Sequence, residues 1–569
     1  MAASAEERST GPAGAVRASR SRTRLGGEGQ WASGDRTPLN DTERFKQEDD
    51  GLNVRARIEQ VYAREGFASV PPDDLRGRFR WWGLYTQRRP GIPGGRTGSL
   101  APEDLEDEFF MLRVRRDGGR FSTAQLRVVA ELSRQYAGDT ADLTNRQNVQ
   151  LHGVRIEDVP DIWRRLEAVD LTTVEACGDT PRVVLGSPVA GVADDEIIDG
   201  TWAIEEIRRR FVGSPEFSNL PRKYKTAVSG SPAQDVAHES HDVAFVGVVH
   251  PEHGPGFDLW VGGGLSTNPV LARRPGAWVP LSEVPEVWAG IAGLFRDHGY
   301  RRLRHRARLK FLVSDWGTER FRAVLEQEYL HRPLLDGPPP PIPTRPGDHV
   351  GVHRQRDGRY YVGVAPVAGR VSGTVLAAVA DLAEEHGSER VTTTAQQKLL
   401  VLDVREQNVE RLITGLERIG LPTRPSTWRR STMACTGIEF CKLALVETKA
   451  RAATLVAELE SRLARFDEPI SIHLNGCPNS CARLQIADIG LQGNVQQDAD
   501  GTQREVFQVH LGGGLGLDTG FAHRVRGHKV AADDLPDYVE RLVRRFLAQR
   551  RPGERFAQWA LRADDVSLR

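Results

Sequence analysis

Alternating apolar and polar side chains from Phe109 to Arg115 predict a strand. Apolar positions at helical spacing follow from Thr123 to Tyr136, and a second strand pattern covers Val149 to Val154. The order returns farther along as a strand at Tyr360, a helix over about Ser372 to His386 and a strand over Lys398 to Val404. Apolar runs also precede two glycine triplets, Leu259 to Val261 before Gly262-Gly263-Gly264 and Val509 to Leu511 before Gly512-Gly513-Gly514. Strands covered by helices on one side make α+β the expected class.

The recurrence is one unit written twice. Phe110-Met111-Leu112-Arg113-Val114 resembles Tyr360-Tyr361-Val362-Gly363-Val364, and Thr144-Asn145-Arg146-Gln147-Asn148 resembles Thr394-Ala395-Gln396-Gln397-Lys398. With the glycine triplets, all three pairs share an offset of 250 residues (360 − 110, 394 − 144 and 512 − 262). Two copies are too few for a solenoid, so a pseudo-twofold pair with a site between the halves is expected. Gly337 to Pro346 is proline-rich and cannot form helix or central strand, which makes it the linker between copies.

At 569 residues the chain exceeds what one core supports. Its 77 basic and 77 acidic residues give no global drive toward nucleic acid or membrane, and no apolar run reaches the roughly 18 residues of a membrane span. Met1 to Gly51 is polar and lacks a leader's apolar core, so a disordered extension is expected. Five cysteines are too few for a disulfide framework, and a reducing cytoplasm would keep them as thiols or metal ligands.

Four of those cysteines fall in two pairs, Cys435 with Cys441 and Cys477 with Cys481. The second pair lies in Asn475-Gly476-Cys477-Pro478-Asn479-Ser480-Cys481, where Gly and Pro favour a tight turn that directs both sulfurs to one centre. Zinc competes for such a set, but its knuckles favour narrower spacings and a nearby histidine, for which His473 is the single candidate. An iron-sulfur cube fits better, since it accepts thiolates from two separated loops. Neither a dinucleotide fingerprint nor a phosphate loop occurs, so electrons must come from a separate protein.

Ala434-Cys435-Thr436-Gly437-Ile438-Glu439-Phe440-Cys441 together with the Cys477 to Cys481 motif resembles the siroheme and 4Fe-4S signature of assimilatory sulfite and nitrite reductases. The likeness runs from about Arg80 to the C-terminus and includes the duplication. It implies two ferredoxin-like half-domains and two larger α/β units around a pseudo-twofold axis. On that reading the boundaries are a disordered extension (1–50), an N-terminal segment (51–100), the first half-domain (101–170), a siroheme and substrate domain (171–332), the linker (333–347), the second half-domain (348–425) and a cluster and siroheme domain (426–569).

The resemblance makes all four cysteines cluster ligands and Cys481 the bridge to the siroheme iron. It implies ferredoxin as the electron donor to a monomer, with Arg88, Arg89 and the 301–310 run as candidate docking charges. Small oxyanions need fixed positive charge, and Arg113, Arg182, Lys223 and Lys225 match the family's substrate-pocket positions. Siroheme's carboxylates call for further donors, of which Arg146, Arg308 and Lys310 are the natural ones. The offset sets Gly363 opposite Arg113 and Gln396 opposite Arg146, and it leaves Lys223 and its neighbours as the counterpart of the Cys477 motif. Each copy is thus expected to have specialised.

Cys177, in Glu175-Ala176-Cys177-Gly178-Asp179, lies five residues before Arg182, and Tyr85 stands in a second motif of the family. Some relatives place these two side by side near siroheme, which implies a candidate Tyr85 to Cys177 thioether. Arg222-Lys223-Tyr224-Lys225 resembles the sulfite reductases, whereas nitrite reductases carry Asn at the last position. The expected function is therefore ferredoxin-dependent sulfite reduction in sulfur assimilation. Nitrite reduction is the nearest alternative, and a non-catalytic iron-sulfur redox sensor the remote one.

Overall fold

The structure is a computed structural model that describes residues 39–343, 347–498, 501–518 and 520–569. It contains four sheets. Each half-domain sheet is antiparallel, and their registers repeat at the offset read from the sequence. Arg113 pairs with Gln150 and Gly363 with Leu400, while Leu112 pairs with Leu151 and Val362 with Val401.

The copies complete each other's sheets. Arg120–Ser122 of the first copy lies at the edge of the second half-domain, on Arg390–Thr393, and Arg370–Val371 of the second lies at the edge of the first, on Ala141–Leu143. This reciprocal exchange defines the pseudo-twofold axis. Helices Thr123–Tyr136 and Gly373–Glu385 pack on each other beside it, with Arg127 bound to Asp381 and Glu384. Leu112, Leu126, Val362 and Leu376 belong to one continuous apolar core, so the half-domains share their burial.

The larger units are six- and five-stranded mixed sheets with their own cores. Their central pairings correspond strand for strand, but at a different offset. Thr226 pairs with Val243 and Ile472 with Ile489, both 246 apart (472 − 226 and 489 − 243), whereas the next hairpin, Val243 with Val261 and Ile489 with Leu511, restores 250 (511 − 261). The first copy therefore has four more residues ahead of its central strand.

That shift corrects the expected counterpart of the Cys477 motif, which is Ser231 to Asp235 rather than Lys223. Left-handed backbone at Gln234 and Ala237 recurs at Ser480 and Arg483, at the same offset of 246 (480 − 234 and 483 − 237). The first edge strands, Leu185–Gly186 and Thr432–Ala434, bring Ser187 to the place of Cys435. Where the second copy has thiols, the first has hydroxyls around a carboxylate. Asp235 accepts from Ser187 and Ser229 at 2.7 and 2.8 Å, and His349 closes the group at 2.8 Å.

A second correction concerns the N-terminus. Residues 1–38 lie outside the described residues, but Asp41–Glu48 is a helix capped by Asn40. Phe45 packs edge-on against Trp81, and buried Lys46 pairs with Glu43, reaches Asp179 at 3.6 Å and donates to the Leu220 carbonyl at 3.0 Å. Its polar composition concealed an ion-pair anchor. The proline-rich connection also departs from a bare linker, since Leu335–Asp336 adds an edge strand beside Ala277–Val279.

Candidate active site

The four cysteines sit at the ends of strands in the second large sheet. Thr432–Ala434 runs into Cys435, whose thiol accepts from the Gly476 amide at 3.2 Å, and Ile472–Asn475 runs into Cys477. Gly437 has a φ of +75° and Thr448 so near that a side chain there would collide, which explains a glycine between the first two cysteines. Thr448 donates to the Cys435 carbonyl at 2.7 Å. Cys477 is buried and Cys481 exposed, and none of the five cysteines is in a disulfide.

Burial and the mutual repulsion of their thiolates push Cys435 up to about 12 and raise Cys441 and Cys477 as well. Cys481 acts on all three. Among the described residues no three His, Cys, Asp or Glu side chains close to the spacing of a single metal ion. Four thiols that act on one another suit a cluster, whose iron charge is what would ionise them.

The cations come from the first copy and meet this centre across the axis. Arg182 is held by donating to the carbonyls of Gly178 and Ala176 at 2.9 and 3.1 Å. Its own strand segment lies on Tyr224, with the Arg182 amide on the Tyr224 carbonyl at 2.8 Å, so Lys223 and Lys225 flank it. Burial lowers the pKa of both lysines. For Lys223 the next cause is Arg308, then Arg222 and Arg182, with Cys481 opposing; for Lys225 it is Arg146, then Lys223 and Arg308. Both lysines keep accessible surface, and among the described residues no hydrogen bond or ion pair engages either side chain.

Arg146 is buried and donates to the Val183 carbonyl, and among the described residues its Nε and Nη1 have no partner; the buried Nε of Arg113 and of Arg483 likewise has none there. Buried guanidinium donors aimed at no protein acceptor fit a carboxylate-bearing macrocycle. The other two expected carboxylate binders are occupied. Arg308 grips Asp242 with both arms at 2.9 and 3.0 Å, and Lys310 donates to the carbonyls of Gly264, Leu265 and Asn268. These bonds commit Lys310, and Nε and Nη2 of Arg308, to the glycine loop and Asp242. That loop is also explained without a cofactor, because a Cβ on Gly263 would strike the carbonyls of Glu239 and His241, and one on Gly513 those of Gln485 and Ala487.

Tyr85 and Cys177 are brought to one region. The Glu175 amide donates to the Trp81 carbonyl, and the Tyr85 phenolate position acts on Arg222 and Arg304, both bound to Asp179, two residues after Cys177. The run from 301 to 310 is absorbed internally. Arg301 binds Asn219 and Glu43, Arg304 binds Asp179, and Arg306 binds Asp315.

Two contacts across the copies went unread in the sequence. Asn145 donates to the Cys481 carbonyl at 2.7 Å, and Ser266 to the Asn479 side chain at 3.4 Å. The Asp235 carbonyl, counterpart of that of Cys481, accepts at 3.2 Å from Gln396, which stands opposite Arg146 and one position beyond Ala395, the counterpart of Asn145. Asn145 stood inside the repeated Thr-Asn-Arg-Gln-Asn motif, a signal that its turn faces something shared.

The chain matches the pattern described as nitrite and sulphite reductase 4Fe-4S domain over residues 177–334 and 427–564, and that described as nitrite/sulfite reductase ferredoxin-like half domain over 103–169 and 353–419. It is 60% identical over 546 residues to a protein of Mycolicibacterium paratuberculosis named sulfite reductase [ferredoxin] 2, covering 95% of this chain and 98% of that one. A protein of Synechococcus elongatus named ferredoxin–nitrite reductase is 35% identical over 523 residues, 90% of this chain and 98% of its own. The solved structure of the Mycobacterium tuberculosis NirA protein superposes with a TM-score of 0.93 at 59% identity, over 95% of this chain and 99% of that one.

Proposed function

This chain belongs to the nitrite and sulphite reductase family, and on that premise we propose that it reduces sulfite to sulfide with electrons from reduced ferredoxin. The observation that carries this reading is the joining of the two copies at Cys481, whose carbonyl accepts from Asn145 at 2.7 Å and whose charge reaches Lys223. A cation of one copy feels the thiolate of the other, so substrate charge and electron source share one place.

Cys435, Cys441, Cys477 and Cys481 would hold the 4Fe-4S cluster, with Cys481 shared with the siroheme. When bound, these groups would supply one-electron redox chemistry, delivered stepwise to the substrate site. The protein supplies the rest. Arg113, Arg182, Lys223 and Lys225 hold an oxyanion that is doubly charged near neutrality, and Arg146 pairs with siroheme carboxylates. Six electrons and seven protons turn sulfite into hydrosulfide and three waters. Lys223, its pKa lowered by burial and by Arg308, gives up a proton more readily than a surface lysine and can be recharged from solvent.

Lys225 favours sulfite over nitrite, because a second lysine suits the more highly charged anion. Among the described residues no helix is long and apolar enough to cross a membrane. Free thiols support a reducing cytoplasm as the compartment. The internal pair supplies both halves of the site, which supports a monomer.

The test is kcat/KM for sulfite and for nitrite with reduced ferredoxin, on protein whose absorption shows an iron isobacteriochlorin. A clear preference for sulfite is expected. Preference for nitrite would reassign the substrate, and a cluster without the macrocycle would remove the catalytic reading.

A further inference from the structure

We propose that Asp235 is a positioning residue for the oxyanion, its carboxylate pinning the register of the two parallel strands whose N-terminal ends carry Arg182, Lys223 and Lys225. This rests on the reading that those cations hold the substrate. Leu185 pairs with Ala227 and Gly186 with Val228, so Ser187 and Ser229 stand side by side at the next step of the register. In the other direction Pro181 bridges Tyr224, with the three cations beside that contact. Each hydroxyl takes its own oxygen of one carboxylate, Ser187 on Oδ2 and Ser229 on Oδ1, so Asp235 clips the strands together. A slip of either strand would break a bond to a buried charged group.

The second copy holds the clip from behind. A carboxylate only accepts, so His349 donates from Nε2 to Asp235 and its Nδ1 accepts from the Tyr361 hydroxyl at 3.2 Å. None of Ser187, Ser229, Asp235 and His349 is more than 2% exposed, so water cannot replace these bonds. The His349 carbonyl lies where a side chain on Gly363, the counterpart of Arg113, would have to go. The connection between copies thus fills the space that the first copy gives to a substrate cation. Val189, Val192 and Ala193 pack with Tyr361, Leu400 and Leu402 on the same sheet.

The clip also governs what surrounds the cations. Gln147 accepts from the Gly186 amide and donates to its carbonyl, both at 2.9 Å, which fixes the turn carrying Arg146 to the residue before Ser187. On the second strand, Asp242 accepts from the Lys225 amide at 2.9 Å while it grips Arg308. In the other copy the matching strand ends run into Cys435 and Cys477. There a cluster would tie the strands, and here a carboxylate does so, which lets the cation spacing stand apart from the cofactor.

The experiment compares holoenzyme with Asp235→Asn, with Ser187→Ala/Ser229→Ala, which removes two hydroxyls and leaves the carboxylate on His349, and with Val379→Ala, a cavity in the shared half-domain core. Sulfite affinity is read from the shift it causes in the siroheme absorption. Carbon monoxide affinity is read on reduced enzyme, because a neutral ligand needs no cations. Asp235→Asn is expected to raise Kd and KM for sulfite about 10-fold and the serine pair about 5-fold, with Kd for carbon monoxide within about twofold of wild type. Val379→Ala should lower the melting temperature and leave both Kd values unchanged. An unchanged sulfite Kd in the serine pair, or weakening of both ligands in step with the melting temperature, would overturn the role of Asp235 alone. Wild-type holoenzyme whose siroheme spectrum ignores sulfite would overturn the reading of the cation pocket, and this proposal with it.

Discussion

Asn145 donates its side-chain amide to the backbone carbonyl of Cys481 at 2.7 Å, across 336 residues of chain. The bond ties the turn that carries Arg146 to the peptide of the proposed bridging ligand. Its loss should leave the four thiols in place while freeing the orientation of one. Asn145→Ala is therefore expected to keep full iron content but lower turnover about 5-fold, in line with roughly 1 kcal/mol for one hydrogen bond. A shift in the reduction potential of the cluster, read by redox titration, distinguishes this positioning role from simple destabilisation. Asn145→Asp, which turns an acceptor toward the carbonyl, should be worse than alanine.

Lys223 and Lys225 separate by function. Lys225→Asn should shift the ratio of kcat/KM for nitrite over sulfite upward by about 10-fold, the low end of what one hydrogen bond to a charged group contributes, roughly 1.5 kcal/mol. An unchanged ratio would count against the charge argument. Lys223 has its pKa lowered by burial and then by Arg308. A lysine that must be protonated to donate loses activity as pH rises through that lowered pKa. In Lys223→Arg, whose guanidinium does not titrate in this range, the alkaline fall of kcat should flatten even though kcat itself is reduced.

Glu175 gives a stability signature. Burial raises its carboxyl from 4.5 to about 8, only partly opposed by the Gly213 amide that donates to it. Between those values the folded state keeps a proton that the unfolded state has released, so stability falls as pH rises through the window and levels off above it. Glu175→Gln keeps the acceptor for Gly213 and removes the titration. Its melting temperature should exceed that of wild type at pH 8 and differ little at pH 4, measured by thermal unfolding across that range.

The Tyr85 to Cys177 thioether is a covalent claim with a mass readout. Peptides from active enzyme should include a linked pair lighter than the sum of its parts by two hydrogens, the pair having been removed by an oxidant such as dioxygen. Recovery of both peptides unlinked from fully active protein would dismiss it.

The duplication was legible because it recurs at one offset in the half-domain strands and in residue types with few substitutes, such as the positive-φ glycines Gly262 and Gly512. The counterpart of the Cys477 loop was not, because four extra residues before Thr226 shift the local offset and only strand pairing reveals it. The helix at Asp41–Glu48 stayed hidden because Glu43 and Lys46 are buried as a pair, which composition cannot tell from a solvated surface. Lys310 was read as a cofactor ligand because its carbonyl partners are backbone, and backbone geometry is not written in residue type.

The exchanged strands Arg120–Ser122 and Arg370–Val371 have a consequence for how the chain is made. Either half synthesised alone would present the unpaired edge of Ala141–Leu143 or Arg390–Thr393, a template for pairing with any neighbour. The N-terminal half must wait on the ribosome until residue 370 has emerged before its sheet can be finished. Completion of both half-domain sheets is therefore a single, mutually dependent step that comes late in the chain's emergence.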